Sequence, residues 1–148
     1  MDEHIWRSVR ILKVPKFQGA MWTPALDSLI PKRLYRIRVK DGATWQLDGA
    51  TAACSADGYD QPPQRSGDSI CTTAHFGALI AKIGGGTADK IEPNTAAKTG
   101  TIFGVGRYCV FQIPDDTKIG PVYLGANDLL SGMSKIQGQI EVEIEMAL

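Results

Sequence analysis

The sequence predicts an all-β sandwich. Three observations carry that prediction. Glycine and proline recur along the whole chain, 16 and 8 residues, and cut it into short pieces. Those pieces are rich in Val, Ile, Tyr and Phe, the residues that suit a pleated, half-buried surface. Two of them alternate apolar and charged residues with the period of two that places one set inward and the other outward.

Taken in order, the first strand is expected over Ser8 to Val14 (SVRILKV). Met21 to Ile30 and Ile91 to Thr99 have room for one helical turn each, interrupted by Pro24 and Pro93. Leu34 to Lys40 alternates cleanly, with Tyr35, Ile37 and Val39 on one side and Arg36, Arg38 and Lys40 on the other. Trp45 to Gly49 is a short candidate. Ala78 to Ile83 is nearly continuous in apolar residues, as expected of a strand covered on both faces. Thr101 to Val105 follows, then Arg107 to Ile113, stopped by the turn signal Pro114-Asp115-Asp116. Val122 to Ala126 comes after Gly120-Pro121. Gln139 to Met146 closes the series, with Ile140, Val142, Ile144 and Met146 inward and Glu141, Glu143 and Glu145 outward. The basic face of 36–40 and the acidic face of 141–145 match in spacing and oppose in sign, which predicts that these two strands are neighbours in one sheet.

Composition narrows the function classes. A chain of 148 residues with 43% hydrophobic residues forms one domain, spanning 1–148, with a real core. Lys+Arg and Asp+Glu are both 16, so the chain lacks the basic excess that nucleic-acid binding needs. Three cysteines, Cys54, Cys71 and Cys109, match no metal or CxxC spacing. They read as three reduced thiols, with one disulfide and a free thiol as the alternative. No apolar run reaches membrane-spanning length, so no membrane insertion is expected. The polar start Met1 to Arg7 has no signal-peptide core, which predicts cytoplasmic synthesis with signal-less export as a further route.

Few motifs carry chemistry. Gly84-Gly85-Gly86 lacks the Lys and Ser/Thr of a phosphate loop and reads as a turn. His4 and His75 form no paired metal spacing, and there is no GxSxG elbow, so no enzyme is expected. Asn127-Asp128 at a strand end suits calcium or sugar hydroxyls, although taken alone the pair reads first as a turn, since Asn and Asp are among the commonest turn formers. Tyr59, in the loop Asp57-Gly58-Tyr59-Asp60-Gln61-Pro62-Pro63-Gln64, offers a ring face beside carboxylates and amides, the chemistry of a sugar site and also the composition of an ordinary loop.

Three segments together resemble the calcium-dependent galactophilic lectin family: Ile70-Cys71 through Phe76-Gly77-Ala78-Leu79-Ile80-Ala81-Lys82-Ile83-Gly84, then Tyr123-Leu124-Gly125-Ala126-Asn127-Asp128, then Gly138-Gln139-Ile140-Glu141-Val142-Glu143-Ile144. The resemblance is specific over residues 70–144 and looser before them. It implies a jelly-roll-like, galactose-binding-domain-like β-sandwich that holds a galactoside through calcium at one end. Carried over by position, the family's metal-binding Asp falls on Asp128. Its Thr falls on Gly132, and its paired Asn fall on Lys135 and Ile136. A backbone carbonyl ligand would lie near Asp48. The family's sugar-contacting His and Gln fall near Gln64 to Gly67, where no His stands. Calcium takes six to eight oxygens, so these losses predict no family-type site and no cofactor, with Lys135 standing in for the ion and pairing with Asp128. The expectation is therefore a lectin-like module contacting a glycan through Asp128, Asn127, Tyr59, His75 and Gln64, with Asp128 the one candidate metal ligand. The alternative is an interaction domain that kept the scaffold, lost the sugar and binds a protein partner or its own copy as a homo-oligomer.

Overall fold

The computed structural model describes residues 5–60, 69–84, 101–112 and 120–148. The chain runs β1 (Trp6–Val14), β2 (Thr23–Leu26), β3 (Leu34–Val39), β4 (Leu79–Ile83), β5 (Thr101–Gly104), β6 (Tyr108–Gln112), β7 (Val122–Ala126), a single helical turn α1 (Leu130–Met133) and β8 (Ile140–Ala147). These strands form two four-stranded antiparallel sheets, β1-β8-β3-β6 and β2-β7-β4-β5. The architecture is an all-β sandwich, as the alternation predicts. No described helix is long and apolar enough to cross a membrane.

The expected neighbour relation holds in detail. β3 pairs with β8 so that Arg36 stands opposite Glu145 and Arg38 opposite Glu143, while the Lys40 N–H donates to the Glu141 carbonyl at 3.0 Å. Residues directly opposite in an antiparallel pair share a face, so acids and bases meet side by side on the outside of the sheet. Arg36 grips Glu145 with two bonds, Nε at 3.1 Å and Nη2 at 2.8 Å. Arg38 spans Glu143 (2.9 Å) and Glu145 (2.6 Å). The Trp6 ring lies under the Arg36 guanidinium, 4.4 Å from its centroid.

The Arg36 hydrogen bond holds the Glu145 carboxyl below its ordinary 4.5; burial opposes this, and the charges of Arg36 and Arg38 reinforce it. A carboxylate depressed in the folded state stabilises fully above its unfolded value and loses that contribution as pH falls through its folded one. Urea unfolding should therefore show stability declining below about pH 4.5. Glu145→Gln should be less stable at pH 7 by about 1–3 kcal/mol and should show a flatter acid limb.

The opposite face of this sheet is apolar. Leu12, Val14, Tyr35, Ile37, Ile140, Val142 and Ile144 are buried there. In the second sheet both faces are covered, since Leu79 to Lys82 and Val122 to Ala126 are buried throughout. The apolar run at 78–83 thus lies where its composition predicts. Its one cation, Lys82, is fully buried between the rings of Trp22 (5.0 Å) and Tyr123 (4.9 Å).

Two expectations require correction. The segment 21–30 holds no helical turn; it forms β2 at the edge of the second sheet, where a strand tolerates Pro24 because an edge residue need not donate inward. The segment 45–49 forms no strand, only isolated bridges from Trp45 to Cys54 and from Gln46 to Gln137. The helical expectation at 91–99, the turn at 114–116, Gly85, Gly86 and His4 lie outside the described residues.

Candidate functional site

β5 belongs to the second sheet and β6 to the first, so the chain crosses from one to the other through Val105-Gly106-Arg107. That crossing is pinned, because both the Val105 and Gly106 N–H groups donate to the Leu79 carbonyl, at 2.9 and 3.1 Å. Two further loops meet it there, 54–59 and 71–78. The Tyr59 N–H donates to Phe76 O (3.0 Å) and the Leu79 N–H to Ala56 O (2.8 Å). The Trp45 indole, buried beneath, donates to Gly77 O (2.9 Å).

Glycines allow the loops to approach so closely. Gly58 (φ 87°) leaves no room for a β-carbon, which would sit 2.8 Å from both Ala78 N and Phe76 O. At Gly106 (φ 67°) the same atom would meet the Asp57 carboxylate at 2.6 Å.

The rim so formed carries three exposed side chains that bear or can bear charge, Asp57, His75 and Arg107, beside the exposed hydroxyls of Thr72 and Thr73. Asp57 accepts from the Arg107 backbone N–H (Oδ1, 2.8 Å) and from its guanidinium (Oδ2, 2.6 Å). Burial alone would raise the Asp57 carboxyl, but the Arg107 bonds and charge, helped by the charge of His75, hold it below the ordinary range.

The residues expected from sequence divide into two groups. His75 stands exposed on this rim. Tyr59 is half-buried, stacked on Phe76 at 6.1 Å, with its hydroxyl donating to Ala52 O (2.7 Å) and accepting from the Leu47 N–H (3.2 Å). Burial accordingly pushes its phenol up. Asn127 is fully buried and clamps the 71–78 loop. Its Oδ1 accepts from the Cys71 N–H (2.8 Å), and its Nδ2 lies within reach of the carbonyls of Cys71 (2.8 Å), Ala74 (3.1 Å) and His75 (3.0 Å). Gln64 lies outside the described residues.

Asp128 follows β7 directly, fully buried, with Oδ1 accepting from the Leu129 N–H (2.7 Å). Its carboxylate lies against Gly132 so closely that no β-carbon fits there, which excludes a Thr at that position in this arrangement. Ile136 is buried in the core, while Lys135 is exposed. Around Asp128, two positions to which the resemblance carries calcium ligands supply no side-chain oxygen. The position of the lost Thr is filled by a packed glycine, and Ile136 offers no oxygen. Among the described residues no group of three or more His, Cys, Asp or Glu is placed to hold a metal. All three cysteines are free thiols, and burial raises Cys54 to about 11.

Sequence reasoning missed Asp57 and Arg107 as site residues. They are fifty positions apart, and no local spacing joins them. The available signals were the glycines beside them, Gly58 and Gly106. The chain matches no family model and no curated protein.

Proposed function

We propose that this protein is a lectin-like glycan-binding module that holds sugar hydroxyls at one end of the sandwich with Asp57, His75 and Arg107, without calcium. The observation that carries this reading is the rigid rim itself: three loops locked to one another by backbone bonds and tight glycines, presenting an acceptor, a cation and an imidazole side by side. A vicinal diol both donates and accepts hydrogen bonds, and a carboxylate beside a guanidinium offers the complementary pair. Preorganised side chains lose little freedom on binding. Asn127 and Tyr59 are positioning residues in this scheme, because their polar atoms are engaged within the chain. The strand order β1-β8-β3-β6 facing β2-β7-β4-β5 supports a jelly-roll arrangement, in which the ends of the sandwich are loop clusters. The resemblance over residues 70–144 makes a galactoside the first ligand to test.

A glycan array followed by calorimetric titration tests the proposal. Binding should be equal with calcium and with EDTA. Arg107→Ala should weaken it about tenfold or more, the loss expected for one hydrogen bond to a charged group. The same change should leave the melting temperature nearly unaltered, since exposed ion pairs contribute little to stability. A flat array, or binding that EDTA abolishes and Arg107→Ala spares, would defeat the proposal.

A further inference from the structure

The outward face of the first sheet carries its side chains in columns and is open around Ile11, Arg38, Tyr108 and Glu143, while Glu145 is buried and Arg36 lies against Trp6. On β1 stand Ile11 (61% exposed) and Lys13; on β8 Glu141, Glu143 and Glu145; on β3 Arg36 and Arg38, with Lys40 just past its end; on β6 Tyr108 (57% exposed) and Val110 (42% exposed). Read across the sheet, one row is Ile11, Glu143, Arg38, Tyr108, and the next is Ser8, Glu145, Arg36, Val110. The face is thus an acidic and a basic column side by side, with Ile11 between Ser8 and Lys13 on one edge and Tyr108 and Val110 on the other.

We infer that this face is the interface of a reversible homodimer, in which two copies pack sheet on sheet about a twofold axis parallel to the strands between β8 and β3. That axis lays the acidic column of each copy over the basic column of the other. It also lays Ile11 over the partner's Tyr108 and so closes both apolar edges at once. A twofold perpendicular to the strands would stack Glu on Glu and Arg on Arg, so the pattern of charge selects the first axis. The acids and bases already pair within each copy, so covering them strips water from ion pairs rather than from bare charges. Ile11, Arg38, Tyr108 and Glu143 also line a hollow of about 560 Å³ that can receive side chains from the facing copy.

Four strands about 4.8 Å apart and roughly 20 Å long present about 400 Å², against about 800 Å² per partner in a standard interface. The dimer is therefore weak and dependent on concentration. Arg107 lines the same hollow and so stands at the border of this interface, whereas Asp57 and His75 do not line it. The axis runs along the strands, so both rims point in the same direction, as a bivalent binder of a glycan surface requires.

Sedimentation equilibrium from about 1 to about 500 µM protein tests the inference by mass action. The apparent mass should rise from 16.0 kDa toward twice that value, and added salt should reverse the rise. Arg38→Glu and Glu143→Arg should each remain monomeric alone, because like charges then face one another across the axis. Mixed in equal amounts, the two variants should dimerise, because every facing pair is again opposite in sign. Should either charge variant misfold by circular dichroism, Tyr108→Glu serves instead; its site is exposed, and it should remain monomeric. A wild type that stays at monomer mass throughout, a dimer indifferent to these changes, or a mixture that fails to associate would overturn the inference. The readout is mass, so it stands or falls independently of sugar binding.

Discussion

Asn127→Ala should lower the stability of this protein by about 3 kcal/mol or more, the largest loss expected from any single polar change described above. The substitution leaves the Cys71 N–H and the Ala74 carbonyl without a partner among the described residues, at about 1–3 kcal/mol for each buried group. It also removes one bond each from the Cys71 and His75 carbonyls, which keep weaker or single alternatives at Ala74 N (3.4 Å) and Ala78 N (3.1 Å). A domain of this size loses roughly 2–4 °C of melting temperature per kcal/mol, so the midpoint should fall by about 10 °C. Asn127→Asp separates hydrogen bonding from side-chain volume. It keeps the size and the acceptor for Cys71 N, but turns a carboxylate oxygen toward three carbonyls. Differential scanning calorimetry should find it nearly as damaging as the alanine. If Asp at this position melts within two or three degrees of wild type (roughly 1 kcal/mol), the clamp does not work through its donors.

Gly58→Ala should cost about 2–4 kcal/mol and should also weaken ligand binding at the rim. Two causes act together. The backbone at φ 87° is one that an L side chain adopts only with strain, and the added carbon would meet Ala78 N and Phe76 O at 2.8 Å. Both obstacles are backbone atoms, so neither can swing aside as a side-chain end would. Relief requires the 54–59 loop to lift from the 71–78 loop, which carries Asp57 away from Arg107 and His75. Urea unfolding would give the stability loss, and titration of the folded fraction with a glycan found on the array would give the binding loss. Gly42→Ala is the control. It shares a positive φ of 78° but has nothing within 4 Å of the added carbon, so it should show the backbone strain alone.

The sheet register was legible in the sequence because it follows from a local rule. Arg36, Arg38 and Lys40 alternate with apolar residues, Glu141, Glu143 and Glu145 do the same, and opposite signs at equal spacing prescribe one alignment. The bounds of β7 were legible for a similar reason, since a short apolar run sits between a Gly-Pro turn and a polar pair. β2 was hidden because Pro24 argues against a strand unless the strand is known to lie at an edge, and edge position is a property of the whole sheet. The site was harder still. Asn127 and Asp128 were recognisable as polar residues at a strand end, yet nothing local tells that both are buried and face inward. Asp57 and Arg107 are brought together only by the crossing at residues 105–107, so their pairing depends on the topology being known first.

The position of β8 governs how the molecule reaches this state. β8 lies between β1 and β3, so it joins the earliest described strand to the rest of its sheet through pairs such as Trp6 with Ala147. Until residues 140–147 are seated, β1 has no hydrogen-bonding neighbour in its sheet, and loop closure must be met across most of the chain before those contacts can form. Contacts so distant in sequence place the rate in the millisecond-to-second range. Until then Leu12 and Val14, buried in the finished core, stay uncovered. Completion of the first sheet is therefore a late step of folding, set by the seating of residues 140–147.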